Sequence, residues 1–160
     1  MIPEADRAAV EAQLGRPPRG LRAVAHRCPC GLPDVVETEP LLEDGTPFPT
    51  LYYLTCPRAA SAIGRLEAAG VMAEMTARLG EDPELAAAYA AAHAGYLARR
   101  DAIRPLPGRA AEVSAGGMPD RVKCLHVLAA HELAVPGANP FGREVLDAVG
   151  DWGDGGPCIR

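Results

Sequence analysis

Cys28, Cys30, Cys56 and Cys124 are the side chains best suited to act together, and the chemistry they suggest is thiolate binding of a metal ion. Cys28-Pro29-Cys30 is one residue shorter than the C-x-x-C spacing that lets two sulfurs face one tetrahedral ion. One of the pair can therefore bind while the other packs, and Cys28 ranks above Cys30. Two small hydrophobic residues following a strand explain the same pair equally well. Cys56 precedes Pro57 and falls at a helix N-cap, where unpaired amides and the helix dipole favour a negative sulfur. Cys124 lies in the first turn of another expected helix, beside Lys123, which again favours a thiolate. Buried together without a cation such charges would repel, so the central expectation is that Cys28, Cys56 and Cys124 meet around one metal. Cys158 falls in a glycine-rich tail and is set aside as a bystander.

The histidines narrow the choice of metal. On a helix of ~3.6 residues per turn, Cys124 and His131 share a face but stand about 10 Å apart, while His126 points the other way. A helix starting one turn late would instead let Cys124-Leu125-His126 chelate from irregular backbone, which makes His126 the better fourth ligand. Otherwise Cys30 or His131 fills that place, His131 being alternatively a supporting residue, a general base or core. Three cysteines with one histidine suit zinc, whereas four suit zinc or an iron–sulfur cluster. A closed structural zinc site is the first expectation, and separate burial of the cysteines is the bland alternative. Gly116 and Gly117, ahead of a helix carrying Arg121 and Lys123, could hold a phosphate at its N-terminus, although a solvated basic turn accounts for them too. His93 reads as a histidine satisfied at a packed helix edge.

The elements that must position these groups form an extended front and a helical remainder. Residues 4–14 predict a short helix, ended by Gly15-Arg16-Pro17-Pro18. Strands are expected over Leu21–His26, Val35–Thr38 and Leu51–Thr55, the last two β-branched or aromatic and separated by a turn-rich segment. Pro57 opens a helix, Gly70 divides it from a second, and Asp82-Pro83 starts the longest, placed near 83–103. A nearly all-apolar helix over about 121–134 runs through the core, and Asn139-Pro140 begins one more. The prediction is an α+β fold, with a small antiparallel sheet in the N-terminal third packed against five or six helices. Residues 1–150 form a single domain and 151–160 a loose C-terminal tail.

With 160 residues the chain is long enough for one continuous core, and its formal net charge of −5 supplies no uniform basic field for nucleic acid or an anionic membrane. The mixed-charge N-terminal stretch is unlike a secretory signal, and no apolar run reaches a membrane span, so a cytoplasmic protein is expected. There is no Walker pattern, no G-x-S-x-G elbow and no carboxylate pair singled out by spacing.

The runs Arg27-Cys28-Pro29-Cys30-Gly31-Leu32-Pro33, Asp44 to Pro57 and Gly116 to His126 resemble the actinobacterial domain-of-unknown-function family 501, over about residues 8–150. The resemblance implies a cytoplasmic protein whose gene often neighbours those for enolase, a septum-formation initiator and an exopolyphosphatase. It brings no catalytic residues to carry over. Three function classes follow. The first is a metal-stapled binding or regulatory module with a protein partner. The second is a thiol- or metal-dependent enzyme acting on a small anionic or phosphorylated substrate, with Cys124 or Cys56 as nucleophile and His126 or His131 as base. The third is the anion site. Catalytic residues and oligomeric state are not specified by the sequence.

Overall fold

The antiparallel sheet sets the geometry of the whole molecule. The computed structural model describes residues 2–153 and 156–159. Strand β1 (Leu21–Arg27) pairs with β2 (Pro33–Thr38), Val24 opposite Val36 and Arg27 opposite Pro33. Strand β2 pairs in turn with β3 (Tyr52–Leu54), Val35 opposite Leu54, giving the order β1-β2-β3. Because neighbours run in opposite directions, the end of β1, the start of β2 and the end of β3 lie at one end of the sheet. Cys28 and Cys56 both leave the sheet there.

Among the described residues six helices complete the α+β fold: α1 (Glu4–Leu14), α2 (Pro57–Ala68), α3 (Val71–Leu79), α4 (Pro83–Ile103), α5 (Leu125–Ala134) and α6 (Pro140–Val149), with a short 3-10 turn at Gly108–Glu112. Proline opens α2, α4 and α6, where its missing amide leaves no bond unmade. Asp82 accepts hydrogen bonds from the amides of Glu84 and Leu85, and Asn139 accepts one from Gly142, so α4 and α6 begin on side-chain caps.

Helix α5 is the centre of the core. Leu125, Leu128, Ala129 and Ala130 are fully buried against a shell that includes Leu51, Tyr52, Phe141 and Val145. Helix α6 crosses it at Gly142, where a β-carbon would lie 2.2 Å from the Leu128 carbonyl oxygen. Only a hydrogen fits between the two backbones. Helix α4 turns Tyr89, Ala92, Tyr96 and Arg100 inward. The Tyr96 hydroxyl accepts from the Leu51 and Tyr52 amides at 2.6 and 3.2 Å, which fastens this helix to β3.

The expected fold class and helix count agree with the structure. One boundary that matters differs: α5 begins at Leu125, not near Arg121. The preceding residues are held in turns, with the Arg121 amide donating to the Gly117 carbonyl and the Lys123 amide to that of Gly116. Tyr89 donates to the Arg121 carbonyl and the Val122 amide donates to Thr76 Oγ1, so the backbone's bonds are satisfied outside a helix. Among the described residues no helix is long and apolar enough to cross a membrane. Of the tail read as loose, Asp154, Gly155 and Arg160 lie outside the described residues, whereas Trp152 and Cys158 pack against the core.

Candidate metal centre

The β1–β2 connection is a tight loop, and it carries the first two sulfurs. The Cys28 amide donates to the Leu32 carbonyl and the Gly31 amide to that of Cys28, each at 2.8 Å, with Gly31 at φ +91°, which glycine adopts without strain. Cys28 is thereby turned inward and Cys30 stays half-buried. Cys56, fully buried, sits at the N-cap of α2 just past β3. The third partner is Cys158. Its sulfur, with those of Cys28 and Cys56, forms a buried group in which all three lie within 4.8 Å of one another. The Cys30 sulfur is 3.8 Å from that of Cys158.

Cys158 is therefore no bystander, and the reason is the path of the tail. Arg58 on α2 donates to the Gly156 carbonyl at 3.1 Å. Gln13 on α1 donates from one amide nitrogen to the Cys158 sulfur at 3.2 Å and to the Pro33 carbonyl at 2.6 Å. The tail is thus drawn across the end of the sheet by groups from two helices. All five cysteines are free thiols. A tetrahedral ion with Zn–S near 2.3 Å holds its sulfurs about 3.8 Å apart, a spacing within reach of the buried three, whereas Cys30, close to Cys158 but outside that group, would have to move inward to serve as a fourth ligand.

Burial and hydrogen bonding shift three of these thiols in opposite directions. Burial pushes Cys28 up to about 12 and Cys158 up to about 11. Cys30 moves the other way, to about 7, because hydrogen bonds from the Leu32 and Cys158 amides and from neighbouring thiols outweigh its burial. Further ionisation would place like charges side by side in a poorly solvated volume unless a cation entered among them.

The expected ligand set is divided by the structure. Cys28 and Cys56 come together, but Cys124 does not join them; it forms a separate group with Glu67 and His126. Helix α2 explains the separation. Cys56 precedes its first residue and Glu67 lies in its last turn, about 16 Å further along at ~1.5 Å per residue. Cys124 is the N-cap of α5, so the late start anticipated for that helix does bring it near His126, only at the far end of α2. Glu67 escaped the sequence reading because nothing in its spacing links it to Cys124.

His131 is buried in the core, and neither group of candidate ligands includes it. It is stacked on Tyr52 at 6.0 Å and meets Tyr96 edge-on at 5.0 Å. Asn139 uses its oxygen to accept from the Gly142 amide, so its nitrogen faces His131 Nδ1 at 3.2 Å and donates to it. This fixes a neutral ring protonated on Nε2. Burial, with the charge of Arg99 second, lowers its pKa from 6.5 to about 4. A depressed folded-state value means stability that is complete above 6.5 and lost as pH falls towards 4. Between pH 7 and 4.5 urea unfolding should show the wild type losing about 2.5 kcal/mol more than His131→Phe. Parallel losses in the two proteins would assign the acid sensitivity elsewhere.

The anion reading of Gly116, Gly117, Arg121 and Lys123 meets a physical obstacle. The Arg121 and Lys123 amides already donate to the two glycine carbonyls, and the Leu125 amide at the true helix start donates to Glu67 Oε2 at 2.8 Å. A carboxylate thus stands where the phosphate was expected. Another pair passed over in the sequence is His26 and Asp34, with Nδ1 2.8 Å from Oδ1 of a fully buried carboxylate. It borders an open cleft of about 640 Å³, also lined by Pro29, Arg143 and Trp152. His93 Nδ1 lies 2.7 Å from the Ser114 hydroxyl.

A three-stranded sheet, six helices and a buried group of thiols define an α+β protein with a candidate metal centre. The family described as a protein of unknown function, DUF501, matches residues 24–147, and the chain belongs to that family. Cys28, Cys30, Cys56, Glu67, Cys124 and His126 lie inside the matched span, and Cys158 lies beyond it. Comparison with curated proteins and with solved structures found no match.

Proposed function

We propose that Cys28, Cys30, Cys56 and Cys158 hold one zinc ion in a closed structural site, and that the protein works as a metal-stapled binding or regulatory module in the cytoplasm. The observation that carries this reading is the meeting of three buried sulfurs, from the hairpin loop, the start of α2 and the tail, within 4.8 Å of one another. A fourth sulfur lies 3.8 Å from one of them. Four protein ligands leave no coordination position for a substrate, which favours a structural role over Lewis-acid catalysis. The close spacing favours a single ion over an iron–sulfur cluster, whose several irons and bridging sulfides hold the thiolates further apart. Five free thiols in one small chain suit a reducing compartment.

Elemental analysis of protein dialysed against a mild chelator tests the reading. The expected result is close to one zinc per chain and a colourless solution, with thiolate-to-cobalt charge-transfer bands when cobalt replaces zinc. Folded protein free of metal, with Cys28, Cys56 and Cys158 still open to alkylation on mild unfolding, would refute it. A brown chromophore would replace zinc with iron.

A further inference from the structure

The group at the opposite end of α2 has a different chemistry. Glu67, Cys124 and His126 each offer a ligand atom, and these atoms lie within 4.8 Å of one another. They are only half-buried, the side chains of His126 and Glu67 being 29% and 24% exposed. The hydrogen bonds of His126 say which ring atom is available. Nε2 lies 2.9 Å from the Ala60 carbonyl, which can only accept, so Nε2 carries a proton. Nδ1 is left facing Glu67 Oε2 at 3.1 Å. A proton on Nδ1 makes that contact an ion pair, and a metal ion held by the same two atoms would take the proton's place.

We propose that Glu67, Cys124 and His126 form a second metal site, separate from the four-cysteine cluster, that binds a zinc-like divalent ion through three protein ligands and leaves the fourth position open to solvent. The geometry supports it at each contact. In a tetrahedral zinc site a nitrogen and an oxygen ligand are about 3.4 Å apart, close to the distance between Nδ1 and Oε2. A histidine ligand that donates its other N–H to a backbone carbonyl has its tautomer and ring plane fixed, which is the role Ala60 fills. The Leu125 amide, donating to Glu67 Oε2, orients the carboxylate in the same way. Cys124 has extended backbone at the N-cap, so it and His126 reach the same point across one intervening residue. A mixed sulfur, nitrogen and oxygen set with an open position is the pattern of zinc sites that activate water, in contrast to the saturated cluster at the other end of the helix.

The test uses the full chain after chelator dialysis, titrated with cobalt or zinc at pH 7.5 and followed by absorption and bound-metal analysis. The wild type is expected to take up one further, exchangeable ion per chain. Glu67→Gln, which keeps an oxygen to accept from the Leu125 amide, His126→Asn and Cys124→Ala should each weaken that uptake beyond the ~10–100-fold that follows loss of an outer-shell partner. Cys56→Ser should retain it, which separates this site from the proposed structural one. Uptake equal in the wild type and in folded Glu67→Gln and Cys124→Ala overturns the proposal and leaves a shared proton as the cation between His126 and Glu67. Circular dichroism melts identify any variant that has lost its fold, and either folded variant alone decides the question.

Discussion

Arg100→Met is expected to destabilise the protein by about 4 kcal/mol, read as a fall in the urea midpoint at an unchanged slope. Arg100 is completely buried on the inner face of α4. Its Nη1 donates to the carbonyls of Pro49, at 3.0 Å, and Val113, while Nη2 donates to those of Ala110 and Ala111 at 3.0 and 3.2 Å. One planar fork thus ties the loop at Pro49 to the end of the 3-10 turn Gly108–Glu112 and the Val113 that follows it. Methionine fills much of the same volume, so little of the loss is cavity. What remains is a set of carbonyls stripped of charged donors, each worth about 1–3 kcal/mol, with water recovering part. A change below about 1 kcal/mol would mean that the loops satisfy themselves and that the guanidinium is incidental.

Cys56→Ser is expected to have an effect of similar size through the proposed zinc. Loss of one of four ligands should release the ion and lower the melting temperature by about 10–15 °C, corresponding to roughly 4 kcal/mol for a domain of this size. The sheet, α2 and the tail would then be joined only by packing and by contacts such as those of Gln13 and Arg58. Wild-type protein stripped of metal should melt at the temperature of the variant, and the variant should ignore the chelator. Cys124→Ser should leave the structural ion in place, because Cys124 belongs to the other group. A Cys56→Ser protein melting within about 2 °C of wild type, metal or no metal, would remove the structural role.

Much of this architecture was legible from local signals. Pro57, Asp82-Pro83 and Asn139-Pro140 mark helix starts by chemistry that acts within a few residues, and the helices begin there. The sheet follows from β-branched and aromatic runs bounded by turns. The site was legible only in part. Cys28 and Cys56 can be linked from the chain because antiparallel pairing returns the ends of β1 and β3 to one place. Cys158 could not be, since what positions it is a pair of long-range contacts from Gln13 and Arg58 across an unpatterned tail. Cys124 was misplaced for a related reason. Its helix starts four residues late, and the two groups that would open a helix at Arg121 are engaged elsewhere: the Arg121 carbonyl by Tyr89 and the Leu125 amide by Glu67. Local propensity contains no information about such partners.

The wide sequence separation within the thiol cluster has a consequence in time. Cys30 and Cys158 are 128 residues apart, so at ~5–20 residues per second a ribosome leaves roughly 6–26 s between making one and making the other. Throughout that interval the hairpin thiols exist without their last companion, open to oxidants and to whichever soft cation is abundant. Loading of the proposed ion would therefore have to follow synthesis of Cys158, and in a recombinant host it would depend on metal supply and thiol poise after that point.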